Sequence, residues 1–292
     1  MNIRSFQDRV FDWVNYAFML LLAIVMIFPF FYLFSVSFTT YEEFLRSQLL
    51  LWPRKWSIVA YEYIFSSHSF IRSLRVTVYI TILGTLVNLF FTTTMAYGLS
   101  RKIYGQRFIM LAILFTMLFS AGMIPTYLVV KETGLLDSIW SLILPAAIAP
   151  FNLIIVRQFF MSLPQELSES ALIDGASDLV IFRKIVLPLS KPILAAFGLF
   201  YAVGHWNNYF AGILYLNDQT KWPIQVILRQ IVVQSDAMNA LGVINPEMLA
   251  NQPPPETVQM AAILISTLPI LIVYPFLQKH FAKGVMIGSI KG

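Results

Sequence analysis

The sequence predicts an all-α membrane protein with about six transmembrane helices and a short cytoplasmic helix between the fourth and fifth. Three observations predict it. The 292-residue chain is 58% hydrophobic and only 12% charged, with mean hydropathy +0.72. A soluble domain carries about 25% charged residues, so most of this surface faces something other than water, and lipid is the simple answer. Six apolar stretches also reach the roughly 20 residues needed to cross about 30 Å of hydrocarbon. Finally, none of the fifteen Asp and Glu residues falls inside those stretches.

The stretches are 13–38, 75–99, 108–130, 139–160, 189–216 and 258–277, making one transmembrane domain over 1–292. Arg4 and Arg9 precede the first, as in a secretory leader. The run is too long for a signal core and no small-residue cleavage site closes it, so it reads as a retained helix. Segment 40–74 is polar and aromatic, with Trp52, Pro53, Trp56 and Tyr61, whereas 100–107 is short and basic, with Arg101, Lys102 and Arg107. Segment 162–188 is long and amphipathic, 217–257 is a long outer loop ending in Pro253, Pro254 and Pro255, and 278–292 is a basic tail. Pro29, Pro125, Pro145, Pro150 and Pro269 lie in or near spans. They read either as kinks that help alternating access or as tolerated bends.

Basic residues set the orientation. With a cytoplasmic N-terminus, the inner segments hold twelve Lys and Arg against eight in longer outer segments. This predicts that both termini are cytoplasmic. The same asymmetry explains the net charge of +5 and the pI of about 9.3. No Lys/Arg run is long enough for a nucleic-acid footprint.

Several chemistries are missing. Cysteine is absent, which removes disulfides, thiolate metal sites and cysteine nucleophiles. Three scattered histidines have no metal-ligand spacing. No nucleophile–base or paired-carboxylate arrangement marks an intramembrane enzyme. Ion-coupled carriers usually need a membrane carboxylate or a broken-helix ion site. A secondary transporter working without an ATPase remains the alternative reading, opposed by the lack of such a carboxylate. The chain also has no G-x-x-x-x-G-K-[ST] loop, so nucleotide would have to be bound by a partner.

Segment 162–188 carries the most information. Ser162 with Gln165 fits a capping box, and Pro164 suits a first helical turn. Leu167, Ala171 and Leu172 share one face, with Glu166, Glu169 and Ser170 around the others. Gly175 is placed to end or turn this helix. A second amphipathic piece runs over 178–186, and Leu187-Pro188 is expected to break it before the fifth span. The spacing fits two readings: a helix–turn–helix that docks on a partner, or one that covers the bilayer surface.

Glu169-Ser170-Ala171, three residues, Gly175, nine residues, then Ile185, Leu187 and Pro188 resemble the "EAA" loop of ABC importer permeases, with Ser170 where Ala is usual. Gly134 to Ser138, Arg157 to Phe160, Trp206-Asn207-Asn208 and the tail from Gln278 to Gly292 resemble the carbohydrate branch of that family, similar to its maltose-type "G" subunits and to permeases for oligosaccharides derived from polysaccharides. The resemblance implies a multi-pass protein of the bacterial cytoplasmic (inner) membrane. Its partners would be a second homologous permease, two ATPase subunits that bind ATP and Mg, an extracytoplasmic solute-binding protein and a carbohydrate substrate. It implies ATPase coupling through Glu169, Ser170, Ala171, Asp174, Gly175, Ile185, Leu187 and Pro188. It further implies a tail contact with the ATPases through Lys283, Gly284 and Lys291.

Sugars present hydroxyl edges and apolar faces, so a sugar pathway wants amides and hydroxyls beside rings. His205, Trp206, Asn207, Asn208, Tyr209 and Asn152 are the candidates; the other reading makes them bonds between helices. Asn88 reads as helix packing. Trp222, Gln225, Arg229 and Asn251 are candidates for touching the binding protein, and a covering loop fits segment 217–257 equally.

Overall fold

The structure is a computed structural model that describes residues 6–47, 49–240 and 253–289. Among these, regular structure is helical, apart from one isolated bridge between Thr39 and Trp56. The helices are α1 Phe6–Ser37, α2 Tyr41–Arg46, α3 Val59–Ser66, α4 His68–Ser100, α5 Gln106–Leu118, α6 Met123–Glu132, α7 Pro150–Ser162, α8 Gln165–Ile173, α9 Asp178–Leu189, α10 Lys191–Trp206, α11 Phe210–Tyr215, α12 Ile224–Ala240 and α13 Pro255–Ser289. Short 3-10 turns cover Ile139–Leu142, Leu144–Ala146 and Gln219–Lys221.

Among the described residues, α1, α4 and the first part of α13 are each long and apolar enough to cross a membrane alone. Three bent pairs bring the total to six when each pair counts as one span. The stretch 108–130 is not one straight helix. α5 and α6 meet at 118° across a break at Gly122, whose φ of +86° is outside the helical region. Pro125, without an N–H, sits in the first turn of α6, where no intrahelical donor is needed. The stretch 139–160 opens as 3-10 turns and bends by 52° into α7, with Pro145 and Pro150 at the starts of their segments. Leu187-Pro188 does not break the chain as the sequence suggested. Both lie inside α9, Pro188 in its last turn, and the 80° bend falls at Ser190. Pro192 then opens α10. Segment 217–257 is not simply a loop, because it holds the 17-residue α12.

The described residues pack as two units, one within Met1–His68 and Leu228–Leu268, the other within Ser69–Ile227 and Pro269–Gly292. In the first unit α1 keeps its apolar surface exposed, with Trp13 at 77%. Its C-terminal end is tied down. Ser35 Oγ donates to Leu51 O (2.6 Å), Ser37 and Tyr61 share a 2.8 Å hydroxyl contact, and Ser57 N donates to Phe38 O (2.8 Å). Glu43 accepts the N–H groups of Arg54 and Lys55 at 2.7 and 3.0 Å, which holds its carboxyl below the usual range.

The second unit is organised by α4. Its 33 residues rise about 50 Å. Ser73, Thr77, Ile80, Gly84, Asn88, Thr92, Ala96 and Leu99 recur every three or four positions and are buried. Tyr79, Ile82, Leu86 and Phe90, on another face, are exposed. This reverses the soluble pattern: small and polar groups face protein so that backbones approach closely, and large apolar groups face outward. Two apolar clusters flank the stripe. Leu99, Ile113, Leu153, Val156, Phe160, Ile181, Val186 and Phe197 form one; Ile80, Val130, Leu142, Ile143, Tyr215 and Leu216 form the other.

Candidate functional site

A cavity of about 510 Å³ opens beside Asn88, its mostly apolar wall carrying a few amides, hydroxyls and one imidazole from α4, the 3-10 turns, α7, α10 and α11. Asn88 is fully buried, and its Nδ2 donates to Ala146 O (2.6 Å) and Ala147 O (3.0 Å). These carbonyls lie where the 3-10 segment gives way to α7, so they lack regular helical partners. With the amide nitrogen engaged there, Oδ1 faces His205 and accepts from Nε2 at 2.6 Å, which places a hydrogen on that nitrogen. One amide thus joins three segments. Deeper in the unit, Thr92 and Tyr201 share a 2.8 Å hydroxyl contact. Ser141, Asn152, Asn208 and Tyr215 complete the polar lining, and no Asp, Glu, Lys or Arg belongs to it.

His205, Asn208 and Asn152 therefore line one cavity. The other three pathway candidates do not. Trp206 is buried and lines a separate apolar groove of about 240 Å³ with Val78, Ile82, Pro269 and Val273. Asn207 is exposed, its Nδ2 donating to Val203 O (3.0 Å) at the end of α10. Tyr209 is half-buried with its N–H on Asn207 O (2.9 Å). Asn88, Ser141, Tyr201 and Tyr215 were not picked out as pathway residues. For Asn88 the signal was present, since it stands four residues after Gly84 on the small-polar stripe of α4.

The segment 162–188 has an exposed arm and an anchored arm. α8 buries no residue: Leu167 is 42%, Leu172 51% and Ile173 87% exposed. Glu169 and Ser170 are exposed as well. The expected capping box is not formed. Ser162 is the last residue of α7, its hydroxyl donates back to Phe159 O (2.8 Å), and Pro164 occupies the cap position without a side-chain bond. Ala171 packs on the first apolar cluster. Asp174 caps the C-terminus, and Gly175 follows at φ +79°. Gly175 N donates to Leu172 O (3.0 Å) and Ala176 N to Ala171 O (2.9 Å), a left-handed stop that reverses the chain. In α9, Ile181, Phe182 and Val186 are buried, while Ile185 and Leu187 pack half-buried on the same cluster. Phe182 sits 4.7 Å from the Tyr97 ring, and Tyr97 Oη donates to Asp178 O (3.2 Å). Residues 182–186 form a π-helical turn, and Pro188 is exposed. Arg101 Nη2 reaches Ser168 Oγ at 3.3 Å, tying α8 to the end of α4.

A polar clasp joins two connections elsewhere in this unit. Asp137 has φ +56°, unusual for a residue with a Cβ. Its Oδ1 accepts from Asp218 N (2.9 Å) and Asn217 N (3.2 Å), and Lys221 Nζ donates to its carbonyl (2.7 Å) while lying 3.4 Å from Oδ2. The Asp218 N–H, followed by the Lys221 charge, holds the Asp137 carboxyl below the usual range. Trp222 is half-buried, its Nε1 donating to Leu216 O (3.0 Å), and Gln225 Nε2 stands 3.5 Å from Asn207 Oδ1. Arg229 is exposed on α12. Lys283 and Gly284 fall within α13, while Asn251 and Lys291 lie outside the described residues. Among the described residues, no group of three or more His, Asp or Glu is placed to hold a metal.

Bent spans, a cavity without Asp, Glu, Lys or Arg in its lining and a helical arm outside the spans fit a membrane transport component. Residues 1–287 match the family described as the binding-protein-dependent transport system inner membrane component, and the chain belongs to it. It is 53% identical over 288 residues to the polygalacturonan/rhamnogalacturonan transport system permease protein YtcP of Bacillus subtilis, covering 98% of this chain and 100% of that one. It is 51% identical to protein LplC of the same organism over 286 residues, 97% of this chain and 96% of the relative. Among solved structures, it superposes with a TM-score of 0.88 and 34% identity on a chain of a bacterial ABC transporter involved in the import of the acidic polysaccharide alginate, covering 96% of this chain and all of the other.

Proposed function

We propose that this chain is one of two permease subunits of an ATP-driven importer of oligosaccharides, with α8 and α9 as the element through which partner ATPases drive it. The observation that carries this reading is the contrast between the two arms: α8 presents Leu167, Leu172 and Ile173 outward while α9 is packed on the spans. A helix held by an anchored neighbour and a closed turn transmits displacement, and exposed apolar side chains next to Glu169 suit a protein cleft with a basic group. Glu169, Ser170, Ala171, Asp174 and Gly175 form the docking arm. Ile185, Leu187 and Pro188 belong to the arm that moves the spans.

His205, Asn208 and Asn152 serve the sugar pathway together with Asn88, Tyr201 and Tyr215, their amides, hydroxyls and rings matching the two faces of a sugar. The substrate class is an oligosaccharide, which the relative named for polygalacturonan/rhamnogalacturonan transport supports. ATP and Mg are bound by the partners, and both termini are cytoplasmic. Lys283, Gly284 and Lys291 are assigned to contact with the ATPases, and Trp222, Gln225, Arg229 and Asn251 to contact with the binding protein.

The natural absence of cysteine makes the topology directly testable. Ser170→Cys should react with a membrane-impermeant maleimide in inside-out vesicles and stay unlabelled in right-side-out vesicles. The complex reconstituted with its partners should take up labelled oligogalacturonides only with ATP. Labelling of Ser170→Cys from the outer side, or uptake without an ATPase, overturns the proposal.

A further inference from the structure

We propose that the cavity between α8 and the ends of α4 and α7 is a binding site for a phosphate-bearing anion. The cavity measures about 450 Å³ and lies entirely within the second unit. Arg101, Lys102 and Arg157 all line it, and Glu169 is the only carboxylate on its wall, so its lining carries a net charge of +2. Neither the three cations nor Glu169 forms an ion pair among the described residues.

Their hydrogen-bonding capacity is largely unspent. Arg101 gives Nη2 to Tyr97 Oη (2.9 Å) and Ser168 Oγ (3.3 Å), with its guanidinium 4.9 Å from the Tyr97 ring centre, while its Nε is buried without an acceptor. Arg157 uses only Nε, donating to Leu99 O at 2.8 Å. Lys102 has no protein acceptor among the described residues. An orphaned guanidinium nitrogen is costly unless something accepts from it. Two forks and an ammonium around one space match the several acceptor oxygens of a phosphate better than a single carboxylate.

The remaining lining includes Phe160, Met161 and Val186. A bare phosphate would leave those side chains unfilled, and the glycerol of an anionic phospholipid would cover them. Basic pockets between spans at the cytoplasmic edge hold lipid headgroups by this logic. Because the wall includes Arg101 from the end of α4, Arg157 from α7 and Ser168 from α8, a bound phosphate would fasten the exposed arm to two spans at once. This inference concerns a ligand other than the transported solute, and it is read by binding rather than by uptake.

The test uses the intact importer complex in lipid nanodiscs, with Lys102→Gln as the main variant because Lys102 makes no contact that folding needs. Lys102→Arg is the charge-conserving control. In one arm the discs contain phosphatidylcholine with phosphatidylglycerol, and native mass spectrometry counts retained phosphatidylglycerol. In the other, phosphatidylcholine-only discs are titrated with inorganic phosphate and the melting midpoint is followed. Loss of one charge-assisted contact should weaken binding by about tenfold or more. Retention of phosphatidylglycerol that falls in Lys102→Gln but not in Lys102→Arg identifies a lipid headgroup. A phosphate-induced stabilisation that falls in the same way identifies a soluble source. Absence of both signals in the wild type, or equal signals in Lys102→Gln, overturns the site.

Discussion

A Cβ added to Gly84 would lie 2.5 Å from Nε2 of His205. The imidazole therefore rests on the bare backbone of α4, and the bond from Nε2 to Asn88 Oδ1 keeps it there. Gly84→Ala forces either the ring or α10 to move. We expect a loss of about 1–3 kcal/mol, typical of overpacking, read as a lower melting temperature of the complex. Gly98→Ala is the matched control on the same helix. It meets no atom within 4 Å and should be neutral or stabilising by up to about 1 kcal/mol.

Asn88→Ala removes the donor for Ala146 O and Ala147 O and the acceptor for His205 in one step. Buried groups left without partners cost about 1–3 kcal/mol each. The melting temperature should fall further than for Asn152→Ala, a half-buried residue on the same cavity. Equal losses in the two variants would show that the amide joining three segments adds nothing special.

Gly175→Val places a β-branched side chain at φ +79°, where L-residues lose roughly 1–2 kcal/mol. Space is not the obstacle, because no atom lies within 4 Å of the added Cβ. The expected result is a complex that assembles and hydrolyses ATP with little uptake, measured as substrate moved per ATP. Normal stoichiometry in this variant contradicts the rigid-arm reading.

Glu169→Lys reverses the charge on an exposed position of α8, a helix that buries no residue of its own. Membrane insertion should be unchanged. Co-purification of the ATPase should fall by about tenfold, the scale of one lost charge-assisted contact.

The clasp at Asp137 carries a pH prediction. The Asp218 N–H and then Lys221 depress the Asp137 carboxyl, and the Thr220 hydroxyl and then the Thr220 N–H depress that of Asp218. A depressed carboxylate contributes stability that is present in full above its unfolded pKa and is lost as pH falls through its folded value. The protection factors of the amides at residues 217–222, exchange rates taken relative to the intrinsic rate at each pH, should therefore be level from neutral pH down to the ordinary carboxylate range, then fall in stronger acid. Asp137→Asn, which tolerates the left-handed backbone, should flatten that acid limb.

The sequence made the apolar runs legible, because a 20-residue demand with no internal carboxylate has few other solutions. Gly175 was legible too: a glycine after a short amphipathic helix has a specific use. The interruptions at Gly122 and Ser190 were not, since Gly, Pro and Ser also occur inside continuous spans. The stop assigned to Leu187-Pro188 shifted two residues because a proline in the last turn can follow a π-helical turn without ending the helix. The capping box at Ser162 failed because α7 already claimed that residue. α12 was hidden by hydropathy, which reads an amphipathic helix as a polar connection. Asn88 could be placed on a stripe from sequence, but its partners come from three segments whose adjacency only the folded chain defines.

The uncovered surface of α8 also bears on the life of the subunit before assembly. A lone copy would hold Leu172 and Ile173 out as bait for chaperones and proteases, much as an unfolded segment does. Occupation of that ridge by a second protein would hide the bait, so surplus copies would be cleared while complete transporters persist, and the supply of one polypeptide would set the abundance of the other.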